Sequence, residues 1–492
     1  MDKCSRAMEF LENRNILITG ATGFLAKILV EKILRVQPNV KKLYLLLRAA
    51  NELTALERFH NEVIGKDLFQ VLKKMWGGDF DTLISEKVCV VPGEVSLSEM
   101  GLKDSNLVAE MKNQVELIVN LAATTKFDER YDVAVGTNTL GAKHIVSFAK
   151  QCPNLKLLVH VSTAYVSGER GGLILETPYK LGESLNGIQG LDIATEQTVM
   201  EEKLEQLEEN GATKEAITLA MKDFGLERAK MYGWPNTYVF TKAMGEMMVN
   251  DLKDNLPVII IRPTIVTSTY KEPFPGWIEG IRTIDSLIVG YAKGKLTCFL
   301  AGINSIVDLV PADMVVNTII MAMVAHELQP SDKSIYHVGS SASNSMRYID
   351  FQRFNYQYFS KKPWINKDGN AVKVGKVTVY NNMASFQRYM NIRYLCFLKG
   401  LEFANKAFCH SFQDKYVDMK RKFNLVMRLI QLYRPYLFFN AIFDDTNMER
   451  LRMDIEKKDR GSETFLLDPK EINWEDYFMN VHLPGLVKHV FK

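Results

Sequence analysis

The sequence predicts an α/β architecture: a doubly wound parallel sheet followed by a mainly helical C-terminal domain. Three observations predict it. Short apolar, β-branched runs alternate with amphipathic stretches from residue 15 to about residue 360, the pattern of buried parallel strands joined by helices. The first run, Asn15-Ile-Leu-Ile-Thr19, passes into a glycine turn and then directly into a helical pattern. Beyond a loop-like stretch at 361–370 the alternation stops, and helical patterns rich in aromatic and basic residues take over.

The first turn sets the expectation for a ligand. Gly20-Ala-Thr-Gly23-Phe-Leu-Ala26 precedes Lys27–Arg35, whose apolar residues recur at helical spacing. Gly20 permits a tight turn and Gly23 lets backbone N–H groups approach a pyrophosphate. Ala26 is small enough for helix to pack on strand, and the helix N-terminus supplies partial positive charge. Strand, glycine turn and helix together predict a Rossmann-type dinucleotide site, with Thr19, Gly20, Thr22, Gly23, Phe24 and Leu25 as candidate cofactor contacts.

Val40–Arg48 reads as the second strand. An acid at its end would bond a ribose 2′-hydroxyl; here Arg48 arrives instead, and a cation there favours a 2′-phosphate, hence NADP. Residues 51–86 look helical and polar. Lys87–Glu94 is a third strand and turn, placing Glu94 near the adenine, and Leu117–Ala123 is a fourth ending in small residues, with Ala122 at the cofactor. Asn138–Ala149 is a helix with Asn138 as a polar tie. Leu155–Thr163 is a fifth strand delivering the hydroxyls of Ser162 and Thr163 to the sheet edge where ligands bind. Residues of about 186–230, strongly acidic from Glu196 to Glu209, read as inserted surface helices. Pro257–Pro263 and Ile335–Gly339 are further strands, and residues 270–304 are a candidate substrate wall.

The division expected along the chain is a nucleotide-binding domain over 1–365 and a helical domain over 380–492. At 492 residues, two domains are the prior. Apolar content of 47% and charged content of 24% place the chain among globular proteins, not disordered ones, and a net charge of +3 is too small to argue for nucleic acid. Six scattered cysteines without metal-like spacing predict no metal, a reducing compartment and mostly buried thiols. No run of apolar residues is long enough to span a bilayer, and the N-terminal residues show no signal core or plastid transit pattern. Arg388–Phe403 and Leu432–Phe443 read first as helical core, with a membrane-surface or acyl-chain role as the alternative. No internal repeat is visible.

The chemistry comes from Tyr238 and Lys242, four residues apart at the start of a helix and so on one face. A lysine ammonium beside a phenol is expected to lower its pKa, easing proton exchange with a carbonyl oxygen. Thr163, with Ser162 as its neighbouring alternative, can bond the same oxygen. His160 reads as structural.

The order Thr19–Ala26, then His160-Val-Ser-Thr163-Ala-Tyr, then Tyr238-Val-Phe-Thr-Lys242 resembles the extended short-chain dehydrogenase/reductase superfamily. More narrowly, Asn120–Tyr131, Lys230–Lys242 and Lys271-Glu-Pro-Phe-Pro-Gly-Trp-Ile-Glu-Gly280 are similar to the plant alcohol-forming fatty acyl-CoA reductases, and residues 380–492 to the helical domain of that family. The resemblance covers nearly the whole chain. It departs at Ala26, where glycine is frequent, and at Glu94, where Asp is frequent.

The resemblance implies reduction of a long-chain acyl-CoA through an aldehyde to a primary alcohol by two NADPH, with Thr163, Tyr238 and Lys242 catalytic and Lys242 also bonding the nicotinamide ribose. It further implies peripheral association with the cytosolic face of the endoplasmic reticulum, in wax- or suberin-type lipid synthesis. The same short motifs also fit a reductase of sterols or sugar nucleotides. A non-catalytic lipid-binding protein would instead lack the Tyr–Lys pair.

Overall fold

A computed structural model describes residues 6–328, 335–407, 413–458 and 465–491; of Ile455, Glu456, Lys457 and Lys458 only the backbone is described. The chain divides into two compact units, one comprising Met1–Gly280, Asp308–Asn344 and Ile442–Lys492, the other Ile281–Val307 and Ser345–Ala441.

The first unit is built on seven parallel strands: β1 (Asn15–Thr19), β2 (Lys42–Leu47), β3 (Val88–Pro92), β4 (Leu117–Asn120), β5 (Leu157–Val161), β6 (Val258–Pro263) and β7 (Ile335–Val338). Their spatial order is 3-2-1-4-5-6-7. β1 is buried along its whole length; Ile18 lies opposite Leu45 on one side and Val119 on the other. Continuous apolar runs are what strands covered on both faces require. The order reverses between β1 and β4, which opens a crevice at their carboxyl ends. There the α-carbon of Gly20 has φ +66°, and a β-carbon on it would stand 2.8 Å from the Ala122 backbone. Only glycine lets the turn pass so close to β4.

The helix Phe24–Val36 leaves this turn. Its apolar residues face the sheet as the periodicity predicts, yet Lys27, Glu31 and Lys32 are buried too. Burial pushes both lysines down and Glu31 up to about 7. Acids from residues 271–280 compensate: Lys27 Nζ lies 2.5 Å from Glu279, Lys32 pairs with Glu272, and Arg35 bridges Glu31 at 2.8 Å and Glu272 at 2.9 Å. Phe24 stacks on Trp277 at 5.2 Å. Residues 271–280, the start of the stretch 270–304 expected as a substrate wall, are thus tied to the helix that begins at the glycine turn.

The linear division at 365–380 differs from the units observed. Residues Ile442–Lys492 pack with the sheet: Asn447 Nδ2 donates to Ile335 O at 2.9 Å, and the Tyr477 hydroxyl donates to Ser268 O at 2.8 Å. Gly276 and Gly485 approach so closely that a β-carbon on Gly485 would meet the Gly276 backbone. Conversely, residues 281–307 belong to the second unit. That unit has a core of Leu300, Phe386 and Met390 joined by Tyr380, Phe423 and Met427. It adds helices Thr283–Ala292, Tyr348–Lys361, Cys396–Ala407 and Gln413–Leu437. Among the described cysteines only Cys152 is buried, and Cys396 is exposed, so the expectation of mostly buried thiols fails for these four; Cys4 and Cys409 lie outside the described residues.

Candidate active site

The glycine turn and the neighbouring strand ends line a cleft of about 400 Å³. Gly20, Thr22, Arg48, Glu94 and Ala122, expected from the sequence as cofactor contacts, are in its wall. Gly23 caps the helix Phe24–Val36, and its N–H donates to Gly20 O at 2.7 Å. A β-carbon on Gly23 would meet that oxygen at 2.9 Å, so the turn can hold only glycine without shifting. Leu25 is half-buried in the first helical turn and Phe24 is buried against Trp277. A cradle of bare backbone at a helix start, opening on a cleft of this size, fits a dinucleotide.

Thr19 departs from its expected role as a cofactor contact. It is fully buried, its hydroxyl donates to Asn120 Oδ1 at 2.6 Å, and it accepts from the N–H groups of Leu121 and Ala122 at 3.2 and 3.1 Å. With donor and acceptor capacity used inside the fold, this side chain fixes the ends of β1 and β4 to each other.

Arg48 is largely exposed at the end of β2, with a guanidinium nitrogen 3.7 Å from Glu94. Beside it stands a residue the sequence reading missed. Arg58 lines the same cleft, donates from Nη1 to Arg48 O at 2.5 Å, and is held by Glu62 at 2.7 and 2.9 Å. The hint was a second arginine one short helix beyond the strand end, within a stretch read only as polar.

The second group of residues sits at the carboxyl end of β5. Thr163 caps a short helical turn, with Oγ1 3.4 Å from both Tyr165 N and Pro263 O. Ser162 Oγ is buried with no hydrogen-bond partner among the described residues. The helix Thr237–Leu252 presents Tyr238 and Lys242 on one face; Asn236 starts it by accepting from Val239 N. Tyr238 lies near enough to Thr163 for that hydroxyl to ease its ionisation, and its ring stacks on Phe127.

The electrostatics differ from the expectation that Lys242 lowers the phenol. Burial dominates and pushes Tyr238 up to about 12, the Thr163 hydrogen bond opposing it. Lys242 is buried, donates from Nζ to Val161 O at 2.8 Å, and is itself pushed down to about 8 by desolvation, with Glu246 opposing. The phenol is therefore a neutral proton donor across the physiological range. His160, buried and pushed down by desolvation and by Lys242, is held by Asn120 at 3.1 Å. Asn138 does tie the fold: it bonds both backbone groups of Thr124 and the Thr241 hydroxyl. No cluster of potential metal ligands occurs among the described residues, and no helix among them is long and apolar enough to cross a membrane.

The second unit holds a separate pocket whose wall is almost wholly apolar, including Tyr291, Phe299, Tyr348, Phe351 and Val377.

Comparison with known proteins agrees with this construction. An NAD-binding family described as "Male sterility protein" matches residues 18–319, and a second family of the same description, Sterile, matches residues 393–492. An alcohol-forming fatty acyl-CoA reductase of Simmondsia chinensis is 54% identical, over 100% of both chains. Fatty acyl-CoA reductase 1 of Arabidopsis thaliana is 51% identical over 99% of each. Among solved structures, the terminal R domain of the myxalamid PKS-NRPS pathway superimposes with a TM-score of 0.56 at 16% identity, covering 97% of this chain and 91% of that one; this likeness concerns the fold. The extended short-chain reductase fold, the nicotinamide-dinucleotide cleft and full-length identity above one half lead to one conclusion: the chain belongs to the fatty acyl-CoA reductase family.

Proposed function

We propose that this chain reduces long-chain acyl-CoA to the primary alcohol and free CoA through an aldehyde, with NADPH as reductant, using Thr163, Tyr238 and Lys242. The observation that carries the reading is Thr163 close to Tyr238 at the end of β5, the strand next to β4 whose end lines the glycine-walled cleft, with buried Lys242 one turn along the helix of Tyr238. The apolar pocket of the second unit has the wall chemistry a hydrocarbon chain needs. Family membership supplies the substrate class.

Gly20, Thr22, Gly23, Phe24 and Leu25 would hold the pyrophosphate, Ala122 and Glu94 the adenosine side, and Tyr238 and Lys242 the nicotinamide ribose. Bound there, the nicotinamide supplies hydride. Tyr238 and Thr163 grip the carbonyl oxygen of the thioester and stabilise the charge that develops on it; collapse of that oxyanion expels the CoA thiolate. When, after exchange of the spent cofactor for a second NADPH, the aldehyde at the same position takes up a second hydride and becomes an alkoxide, Tyr238 gives its proton to that oxygen. A phenol held near 12 still yields its proton to an alkoxide, a much stronger base. Lys242, as ammonium, is held by Val161 O and would position the nicotinamide ribose and supply the site's positive charge while the proton is transferred.

A pH dependence follows. Tyr238 stays protonated, so kcat should fall as pH rises through about 8, where Lys242 loses its charge. The sign separates this from unfolding: a lysine depressed from 10.5 to about 8 makes the fold more stable, not less, as pH rises across that window. A kcat profile that stays level well above it would remove Lys242's charge from the mechanism.

Arg48 and Arg58 support the preference for NADPH, because two guanidinium groups at the end of β2 suit a 2′-phosphate. Arg48→Ala with Arg58→Ala should raise KM for NADPH by about 10²- to 10⁴-fold, at roughly 1.5–3 kcal/mol for the charged hydrogen bond each arginine loses, and leave KM for NADH nearly unchanged. Equal losses with both cofactors would assign the arginines to the fold alone.

Peripheral attachment to the endoplasmic reticulum, in the supply of surface-lipid alcohols, completes the proposal. The activity itself is tested by incubating purified protein with long-chain acyl-CoA and NADPH and titrating free thiol. Thiol release that requires NADPH supports it; none with any chain length would return the site to sterol or sugar-nucleotide substrates.

A further inference from the structure

Helix Gln413–Leu437 carries apolar residues on two faces. Phe423, Met427 and Ile430 join the core of the second unit. Val417, Leu425, Val426 and Leu429 point outward and are exposed. The neighbouring helix Cys396–Ala407 does the same: Leu398 and Asn405 are buried, while Phe397 and Phe403 stand in solvent, Phe403 at 77% exposure. Ile392, in the turn leading into that helix, is 68% exposed. A helix apolar on its outer face as well as its inner one calls for a second apolar environment.

Charge identifies that environment. Residues 388–437 contain ten Lys or Arg (Arg388, Arg393, Lys399, Lys406, Lys415, Lys420, Arg421, Lys422, Arg428, Arg434) against three acids (Glu402, Asp414, Asp418), an excess of seven in a chain whose net charge is +3. Two of those acids are paired within their own helices, Glu402 with Lys406 and Asp418 with Lys422. Lys399 follows Phe397 by two residues, and Arg421 and Lys422 stand one turn before Leu425, all exposed. Phenylalanine and leucine flanked by long basic side chains are suited to the boundary between acyl chains and anionic headgroups, where the rings insert and the cations stay at the phosphate level. A protein partner would more often bury a compact apolar centre with charge depleted from it.

We propose that the outer faces of these two helices, centred on Phe397, Phe403, Leu425 and Leu429, dock the protein in the surface of an anionic lipid bilayer. This rests on the peripheral attachment proposed above and names the surface that makes it: a wild type that does not float would end both, and variants that still float would end this surface alone. The surface lies outside the proposed reductase residues, so the acyl-CoA reading is tested separately.

The test is flotation of the full-length protein with phosphatidylcholine vesicles, with and without phosphatidylserine, at low and high salt. The wild type should float with the anionic vesicles, and less so at high salt. Phe403→Ser with Leu425→Ser should cut partitioning about tenfold or more, and Lys399→Glu with Arg421→Glu should abolish the preference for phosphatidylserine. NADPH binding and thiol release in detergent should persist in both variants, which shows that they fold. A wild type that stays with the unbound fraction, or variants that float as it does, would overturn the proposal. So would a soluble wild-type dimer that the Phe403→Ser/Leu425→Ser change makes monomeric, since that would make the face a protein interface.

Discussion

Tyr238→Phe is expected to lower kcat by about two to four orders of magnitude, the usual worth of a positioned general acid, while NADPH binds nearly as in the wild type. The change removes one oxygen from a ring that stays stacked on Phe127, and so removes the proton without emptying the site. Thr163 keeps its place at the end of β5, where its hydroxyl contacts Tyr165 N and Pro263 O, so some polarisation of the carbonyl remains. Stopped-flow absorbance of NADPH with saturating substrate gives the rate, and fluorescence of the bound cofactor gives the affinity. A variant that turns over within about tenfold of the wild type would show that another group, with solvent or Ser162 the nearest candidates, delivers the proton.

Arg262→Met is expected to carry the largest stability effect, about 3–5 kcal/mol, against a total that for most domains is only about 5–15 kcal/mol. Arg262 on β6 is buried and makes a forked pair with Glu246, with contacts of 2.6 to 3.2 Å. It also donates to Thr177 O at 3.0 Å. Its guanidinium and burial keep His337 neutral, pushed down to about 3, with burial the larger cause. Methionine would leave Glu246, itself fully buried, as an uncompensated charge. Removing both charges, Arg262→Met with Glu246→Leu, should recover much of the loss because an apolar pair of similar volume carries no desolvation cost. Denaturant midpoints of the single and double variants measure this directly. Glu246 lies one turn beyond Lys242 on the helix that carries Tyr238, so the pair also anchors the catalytic helix to the sheet. The single variant should therefore lose kcat as well as stability. A single variant as stable as the double one would mean that Glu246 finds another partner.

These two residues also show what the sequence makes legible. The strands are readable because a parallel sheet covered on both faces needs unbroken apolar runs, and β1 to β7 each fall within the predicted stretch. The glycine turn and the Tyr–Lys spacing are readable because strand, turn and helix geometry places them locally. Partnerships across the chain are not. Lys27 and Lys32 look like the solvent face of an amphipathic helix, and Glu279 and Glu272, more than two hundred residues away, make their burial tolerable. Arg58 sits beside Arg48 through a backbone contact that no periodicity encodes. The return of Ile442–Lys492 to the sheet unit is invisible for the same reason: the Tyr477 hydroxyl meets Thr267 and Ser268 across about half the chain. The sign of the Tyr238 shift runs against the sequence expectation because spacing predicts proximity to Lys242 but says nothing of burial, and burial is the larger influence.

The central claim is that one set of residues serves both reductions. The most direct measurement is the stoichiometry of a single reaction mixture: NADPH oxidised per CoA thiol released, with the product identified by gas chromatography, for wild type and for Tyr238→Phe given either acyl-CoA or the free aldehyde. The account predicts two NADPH per thiol, alcohol as the product, and a variant impaired on both substrates. One NADPH per thiol with aldehyde accumulating, or a variant that still reduces added aldehyde at the wild-type rate, would contradict it.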